Sequence, residues 1–259
     1  MSVNIAVLVK QIPDPSVVGS LDSSFRFNRD GKIVIDDADL YGVEVALALK
    51  DAAGGGEVSV VSMAPNGESA GVRTALAMGA DKAVVVSDES LANSHALATA
   101  KVLNSAISYL GEIDLIIAGT ESSDGYTGTI PAQIAALRQS SALTFATSIE
   151  MSDGVVTIKR QSNEGIDVVQ ANLPAVVSVT AGVVEPRYPN FKGIMAAKSK
   201  PLEVMSLSDL GIEVSDLAIE SQKVLSIEDA PGRESGVKID DVNIAADKVV
   251  EFLESVGAL

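Results

Sequence analysis

"IDLIIAGTESSDGYTGTIPAQIA", residues 113–135, decides how the chain is read. It begins as an apolar run, 113–118, broken by one acid, as in a strand buried on both faces of a parallel sheet. Hydroxyls and glycines follow, and from residue 129 the apolar positions take up helical spacing as far as 138. A strand that opens through such a loop into a helix is one repeat of an α/β fold. The loop then lies at the carboxyl end of its strand, where open α/β sheets bind ligands.

The same alternation runs outward in both directions. Residues 3–9 predict a buried strand, 33–35 a short one, and 40–50 a helix ended by Gly54-Gly55-Gly56. Residues 58–63 predict a second buried strand, 67–78 a helix stopped by Gly79, 83–86 a strand and 94–110 a helix. Short strand–helix alternation implies a doubly wound, mainly parallel sheet with right-handed crossovers. From 141 the rhythm turns β-rich (145–150, 155–161, 166–170, 175–180), with Asp153-Gly154 as a turn, and reads as a meander continuing or flanking the sheet. Residues 201–259 hold 13 acidic and 4 basic residues and one aromatic, Phe252. That segment is too poor in bulk for its own core and reads as an extended arm, with an amphipathic helix near 241–253. The expected organisation is an α/β domain over 1–200 and an arm over 201–259.

Composition excludes several functions. The chain has 259 residues and net charge −16, which disfavours nucleic acid and anionic membranes as partners. It has no cysteine, so disulfides, iron–sulfur clusters and thiolate chemistry are ruled out, and a single histidine, His95, argues against a zinc site or a Ser–His–Asp triad. The start, MSVNIAVLVK, lacks the basic region of a secretory signal, and no apolar run approaches a membrane span. A soluble, cytoplasmic protein is expected.

The loop is the main chemical candidate. Thr120, Ser122, Ser123, Tyr126, Thr127 and Thr129 offer hydroxyls, and Gly125 and Gly128 permit close backbone approach. With the free N–H groups of the next helix, these could hold one phosphate without lysine. Glu121 and Asp124 would have to turn away from it. The same residues also suit a loop that merely caps the helix through Thr127 or Thr129, and composition leaves both readings open. Neither GxxxxGK[ST] nor a GxGxxG after the first strand is present. Lys10, past the first strand, could meet a phosphate or a neighbouring carboxylate, or simply face solvent. Arg73 is the one residue of "VRTALAMGAD" (72–81) that packing alone does not account for.

Three further stretches are specific in combination: "RTALAMGAD" (73–81), "IKRQSNEGIDVVQANLPAVVSVT" (158–180) and "EPRYPNFKGIMAAKSKPLE" (185–203), with "DLG" at 209–211. Over nearly its whole length the chain resembles the β subunit of electron transfer flavoproteins. It departs from the usual pattern at Asn163, Asp167 and Asp36-Asp37. The resemblance implies a Rossmann-like sheet of the adenine-nucleotide-binding type and a heterodimer with an α subunit, clasped by the acidic arm. It implies one FAD, mostly on the α subunit, and an AMP on this one, lined by Leu8, Asp36, Met63, Asp124, Tyr126, Thr127, Gly128 and Thr129. Pro15 would fall beside the flavin, where some members carry tyrosine. Phe191, Lys192, Ile194 and Met195 would dock acyl-CoA dehydrogenases, and a quinone oxidoreductase would take the electrons onward. The implied task is electron carriage, with no catalytic residue of this chain. Two other readings compete: a bifurcating flavoprotein β subunit with a second FAD and NADH use, and a stress-protein-like ATP-binding module.

Overall fold

The computed structural model describes residues 2–219, 224–232 and 235–259. The chain divides into two units, the first ending at Val224 and the second covering Leu225–Leu259.

The first unit is built on β1 (Val3–Leu8), whose neighbours on either side are β4 (Gly56–Met63) and β6 (Leu115–Gly119), both parallel to it. Beyond β4 lie β5 (Lys82–Val86) and the edge strand β11 (Leu202–Met205), also parallel. Beyond β6 comes β10 (Ala175–Val179), parallel to β6 and to β7 (Ser141–Ser152). The antiparallel strands β8 (Val155–Ser162) and β9 (Gly165–Asn172) finish the sheet. A short ribbon, β2 (Gln11–Pro13) with β3 (Ile33–Ile35), stands apart from it.

The sheet accounts for the sequence pattern. β1, β4, β5 and β6 are buried along most of their length because helices cover both faces. One core lies under α1 (Asp37–Ala52) and α2 (Ala70–Met78), the other under α3 (Ala96–Tyr109) and α4 (Ile130–Arg138). The cores are Val, Ile, Leu and Ala packed on themselves, as the scarcity of aromatics requires. The glycine run at 54–56 has a positional reason: Gly56 has φ +126°, and a Cβ there would collide with the backbone of Val3 where β4 joins β1.

Two expectations are corrected. The β-rich stretch is not one meander: β7, β8 and β9 form one, but β10 crosses back and inserts between β6 and β7. All five residues of β10 are buried, which an outer strand cannot achieve. The arm also begins later than residue 201. Leu202–Met205 pairs with β5, and Leu207 and Leu217 are buried against the α3 side of the sheet. These few apolar residues are enough because they extend an existing core. Among the described residues, the second unit carries one helix, α6 (Val242–Ser255), with Val249, Val250 and Phe252 exposed. Among the described residues, no helix is long and apolar enough to cross a membrane.

Candidate functional site

From β1 the chain moves outward through β4 and β5, then returns to lay β6 on the other side of β1. The order reverses between β1 and β6, so the crevice beyond their carboxyl ends is the place for a ligand. A cavity of about 670 Å³ opens there. One wall is made by the strand ends and the loop after β6: Leu8, Lys10, Met63, Thr120, Thr127 and Gly128. The segment joining β2 to β3 also lines it, with Asp22 and residues 26–30.

Three carboxyl groups organise this region. Asp36 caps α1, accepting from Ala38 N at 3.1 Å with one oxygen. Its other oxygen accepts from Ser123 N at 2.7 Å and Ser123 Oγ at 3.1 Å. Asp39, one turn on, is buried; Oδ2 accepts from Lys10 N at 2.6 Å, and Oδ1 stands close against Gly119. Asp124 receives Lys10 Nζ at 2.6 Å and the guanidinium of Arg29, while Lys10 Nζ also reaches Ser122 Oγ at 3.2 Å. Burial alone would raise the Asp124 carboxyl, but Lys10 and then Arg29 outweigh it and hold it below the ordinary carboxylate range.

Of the two loop acids that an anion would need turned away, Asp124 is turned onto Lys10 and Arg29, whereas Glu121 lines the cavity. Of the nucleotide candidates, Leu8, Met63, Thr127 and Gly128 meet in the cavity wall. Asp36 and Asp124 stand behind the wall and hold the loop. Tyr126 is exposed with φ +49°, and Pro15 lies exposed in the β2–β3 connection, outside the cavity. Thr129 precedes α4 without capping it, its Oγ1 accepting instead from Gln133 Nε2 at 3.2 Å. Thr127 Oγ1 reaches only Gly125 O, at 3.4 Å. Neither threonine side chain caps the backbone of α4.

Asp39 and Arg29 were missed. An acid at the start of a helix reads as an ordinary dipole partner, and nothing in the sequence near residue 29 places it opposite residue 124. His95 is structural: Nδ1 accepts from Ala98 N at 3.3 Å at the start of α3, which leaves Nε2 to donate to Ala218 O at 3.0 Å.

Burial first, and then the nearby Asp36 charge, push the Asp39 carboxyl from 3.8 up to about 8 against the N–H bonds and the charge of Lys10. The folded state thus binds this proton more tightly than the unfolded chain does. The associated stability is present below about pH 4 and is lost as pH rises toward 8. We expect the denaturant midpoint to fall over this range in the parent protein and to fall less in Asp39→Asn. Parallel pH profiles for the two proteins would rule this linkage out.

A second candidate surface is α5 (Phe191–Ala197), capped by Asn190 Oδ1 accepting from Gly193 N at 2.8 Å. Phe191 is 79% exposed, and Lys192, Ile194 and Met195 are exposed beside it. Arg73 serves this helix, donating from Nη1 to Ala197 O at 2.7 Å. Lys200, past the end of α5, turns away from this surface. Its Nζ donates to Leu76 O at 2.9 Å and Ala80 O at 2.6 Å at the end of α2, and burial lowers its pKa.

Comparison with known proteins agrees with this architecture. Residues 24–210 match the model of the electron transfer flavoprotein domain. The chain belongs to the electron transfer flavoprotein family. It is 38% identical to the electron transfer flavoprotein subunit beta of Mycobacterium leprae, over 96% of this chain and 97% of the relative. To the same subunit of Mycobacterium tuberculosis it is 37% identical, with equal coverage. A caffeyl-CoA reductase–Etf complex subunit, CarD of Acetobacterium woodii, is 31% identical over 80% of each chain. The resemblance carried by residues 73–81, 158–180 and 185–203 thus extends over the full flavoprotein β subunit.

Proposed function

We propose that the chain is the β half of a heterodimeric electron carrier that binds AMP structurally. It would work in the cytoplasm with an α subunit that holds most of one FAD. The observation that carries this reading is the 670 Å³ cavity at the β1/β6 divide of a chain in this family. Its chemistry suits a monophosphate. Thr120, Thr127 and the Gly128 backbone offer neutral polar contacts, while Leu8 and Met63 give apolar surface for a base. Lys10 and Arg29 are already engaged with Asp124, and Arg26 shares the cavity lining with Asp22, Asp30, Glu68 and Glu121, so little net positive charge is left for a triphosphate. FAD, when bound, supplies the redox chemistry. This chain contributes position and recognition, without catalytic residues of its own.

α5 would dock acyl-CoA dehydrogenases through Phe191 and Lys192, with Ile194 and Met195 completing the apolar face, and a quinone oxidoreductase would receive the electrons. The acidic second unit, with α6, would clasp the α subunit. Phe191→Ala should slow reduction by an acyl-CoA dehydrogenase about tenfold, as expected for an exposed aromatic anchor, with the flavin spectrum unchanged. Equal stopped-flow rates would remove Phe191 from the docking surface.

The test of the whole reading is to purify the chain with its α subunit and identify the released nucleotides by chromatography. One FAD and one AMP per heterodimer are expected. Two FAD would favour the second reading, electron bifurcation with NADH as donor. The cavity's volume and the relative from a reductase complex lend that reading some support. Family membership displaces the self-standing ATP-binding module. A heterodimer free of purine would sink the AMP proposal.

A further inference from the structure

The β1–β6 ladder stops early. Its last pair is Val7 with Ile117, although β1 stays on β4 through Leu8↔Val61 and β6 stays on β10 through Gly119↔Val179. Beyond Val7 and Ile117 the two central strands part, and this fork is the floor of the cavity. Parting leaves backbone donors without strand partners. Val9 N donates outward to Val61 O at 3.0 Å, and Thr120 N outward to Val179 O at 3.1 Å. By the alternation of N–H directions along a strand, Lys10 N and Gly119 N both point into the fork.

One carboxyl group lies between them. Asp39, reaching down from the first turn of α1, accepts from Lys10 N with Oδ2 at 2.6 Å, and its Oδ1 stands against Gly119. The fit is close on the β6 side: a Cβ on Gly119 would stand 2.8 Å from Asp39 Oδ1. α1 itself lies tightly on the same strands, Gly42 facing Val7 and Ile117. From the same helix end, Asp36 holds Ser123 in the loop beyond β6. The titratable groups facing Asp39 are Asp36 at the cap of its own helix and Lys10 just past β1.

We propose that Asp39 is a positioning residue for the nucleotide. It wedges the β1/β6 fork open and fixes the start of the loop that receives the phosphate. A strand pair closed by ordinary ladder bonds would leave no crevice there, and a fork with two unpaired buried N–H groups would collapse or take up water. The inference rests on the AMP reading given above.

The test uses the complete heterodimer, freed of nucleotide and titrated with AMP in a calorimeter at pH 8.5. Asp39→Asn keeps the shape and one acceptor but turns an NH2 group toward the second N–H. It is expected to bind AMP about tenfold more weakly, the equivalent of one hydrogen bond to a charged group. Asp39→Ala, with neither acceptor, should bind more weakly still. Asp39→Asn also removes a buried charge at this pH, so its unfolding midpoint should equal or exceed the parent's. Affinity and stability then move in opposite directions, which a merely structural residue would not produce. Asp39→Asn with parental AMP affinity, or with affinity lost only in step with stability, would overturn the positioning role. A parent heterodimer that takes up no AMP would overturn the nucleotide reading and this inference with it.

Discussion

Gly193→Ala is expected to cut electron uptake from an acyl-CoA dehydrogenase by more than about tenfold while the heterodimer keeps its nucleotides. A Cβ at 193 would collide with the Ala77 carbonyl oxygen, which belongs to the backbone of α2 and cannot swing aside. α5 has only seven residues and cannot persist as a helix without its neighbour. Its position depends on contact with α2, on Arg73 reaching Ala197 O, and on Lys200 reaching the carbonyls at the end of α2. Overpacking at such a contact costs about 1–3 kcal/mol, and a helix held this lightly should lift or unwind instead. Phe191 would then lose its orientation together with Ile194 and Met195, so the effect should exceed that of Phe191→Ala. Stopped-flow reduction measures the rate, and chromatography of released nucleotides checks the distant cavity. Uptake at the parental rate would mean that the dehydrogenase docks elsewhere.

Gly128→Val should lower AMP affinity by about a hundredfold. Gly128 has φ +66°, in the left-handed region, where a β-branched residue is strained by about 1–3 kcal/mol. Relieving that strain requires the loop to rotate at the point where Thr127 and Gly128 face the cavity. The new side chain would also crowd Glu121, whose Oε2 lies 3.4 Å from the Cβ position. A loss of about 3 kcal/mol is roughly a hundredfold in affinity. AMP content after purification and calorimetric titration both report it. A Gly128→Val protein carrying a full complement of AMP would show that this loop is not the phosphate's seat.

Much of this architecture was legible before any coordinates, for specific reasons. β1, β4 and β6 were readable because a strand buried on both faces must be apolar throughout. The Asp153-Gly154 turn was readable because both residues take positive φ, 51° and 77°. α5 was not assigned as a helix from spacing, since seven residues give too little periodicity, and β2 and β11 were too short to stand out. β10 was recognised as a strand but given the wrong neighbours. Its burial is visible in AVVSV, yet which strands flank it depends on where the chain returns.

The candidate site divides along the same line. The loop 119–129 follows from local pattern and from the rule that parallel sheets bind at their carboxyl ends, and Leu8 and Met63 were named through the family resemblance. The pairing of Lys10 and Arg29 with Asp124 does not, because each partner is about a hundred residues away in the chain and any of the other acids would have served on paper. Nor does the role of Asp39, which looks like one more acid in the first turn of a helix.

By itself the sequence determined the alternation of strands and helices, the doubly wound class, the family and the loop that opens at the end of β6. These are local or repeated features, written in hydrophobic period and turn chemistry. Only the tertiary structure decided that β10 lies inside the sheet, that the first unit runs to Val224, that Lys200 caps α2, and that one buried carboxyl spans the β1/β6 fork. Those depend on which distant donors and acceptors come within about 3 Å of one another, and that distance is set by packing and not by order along the chain.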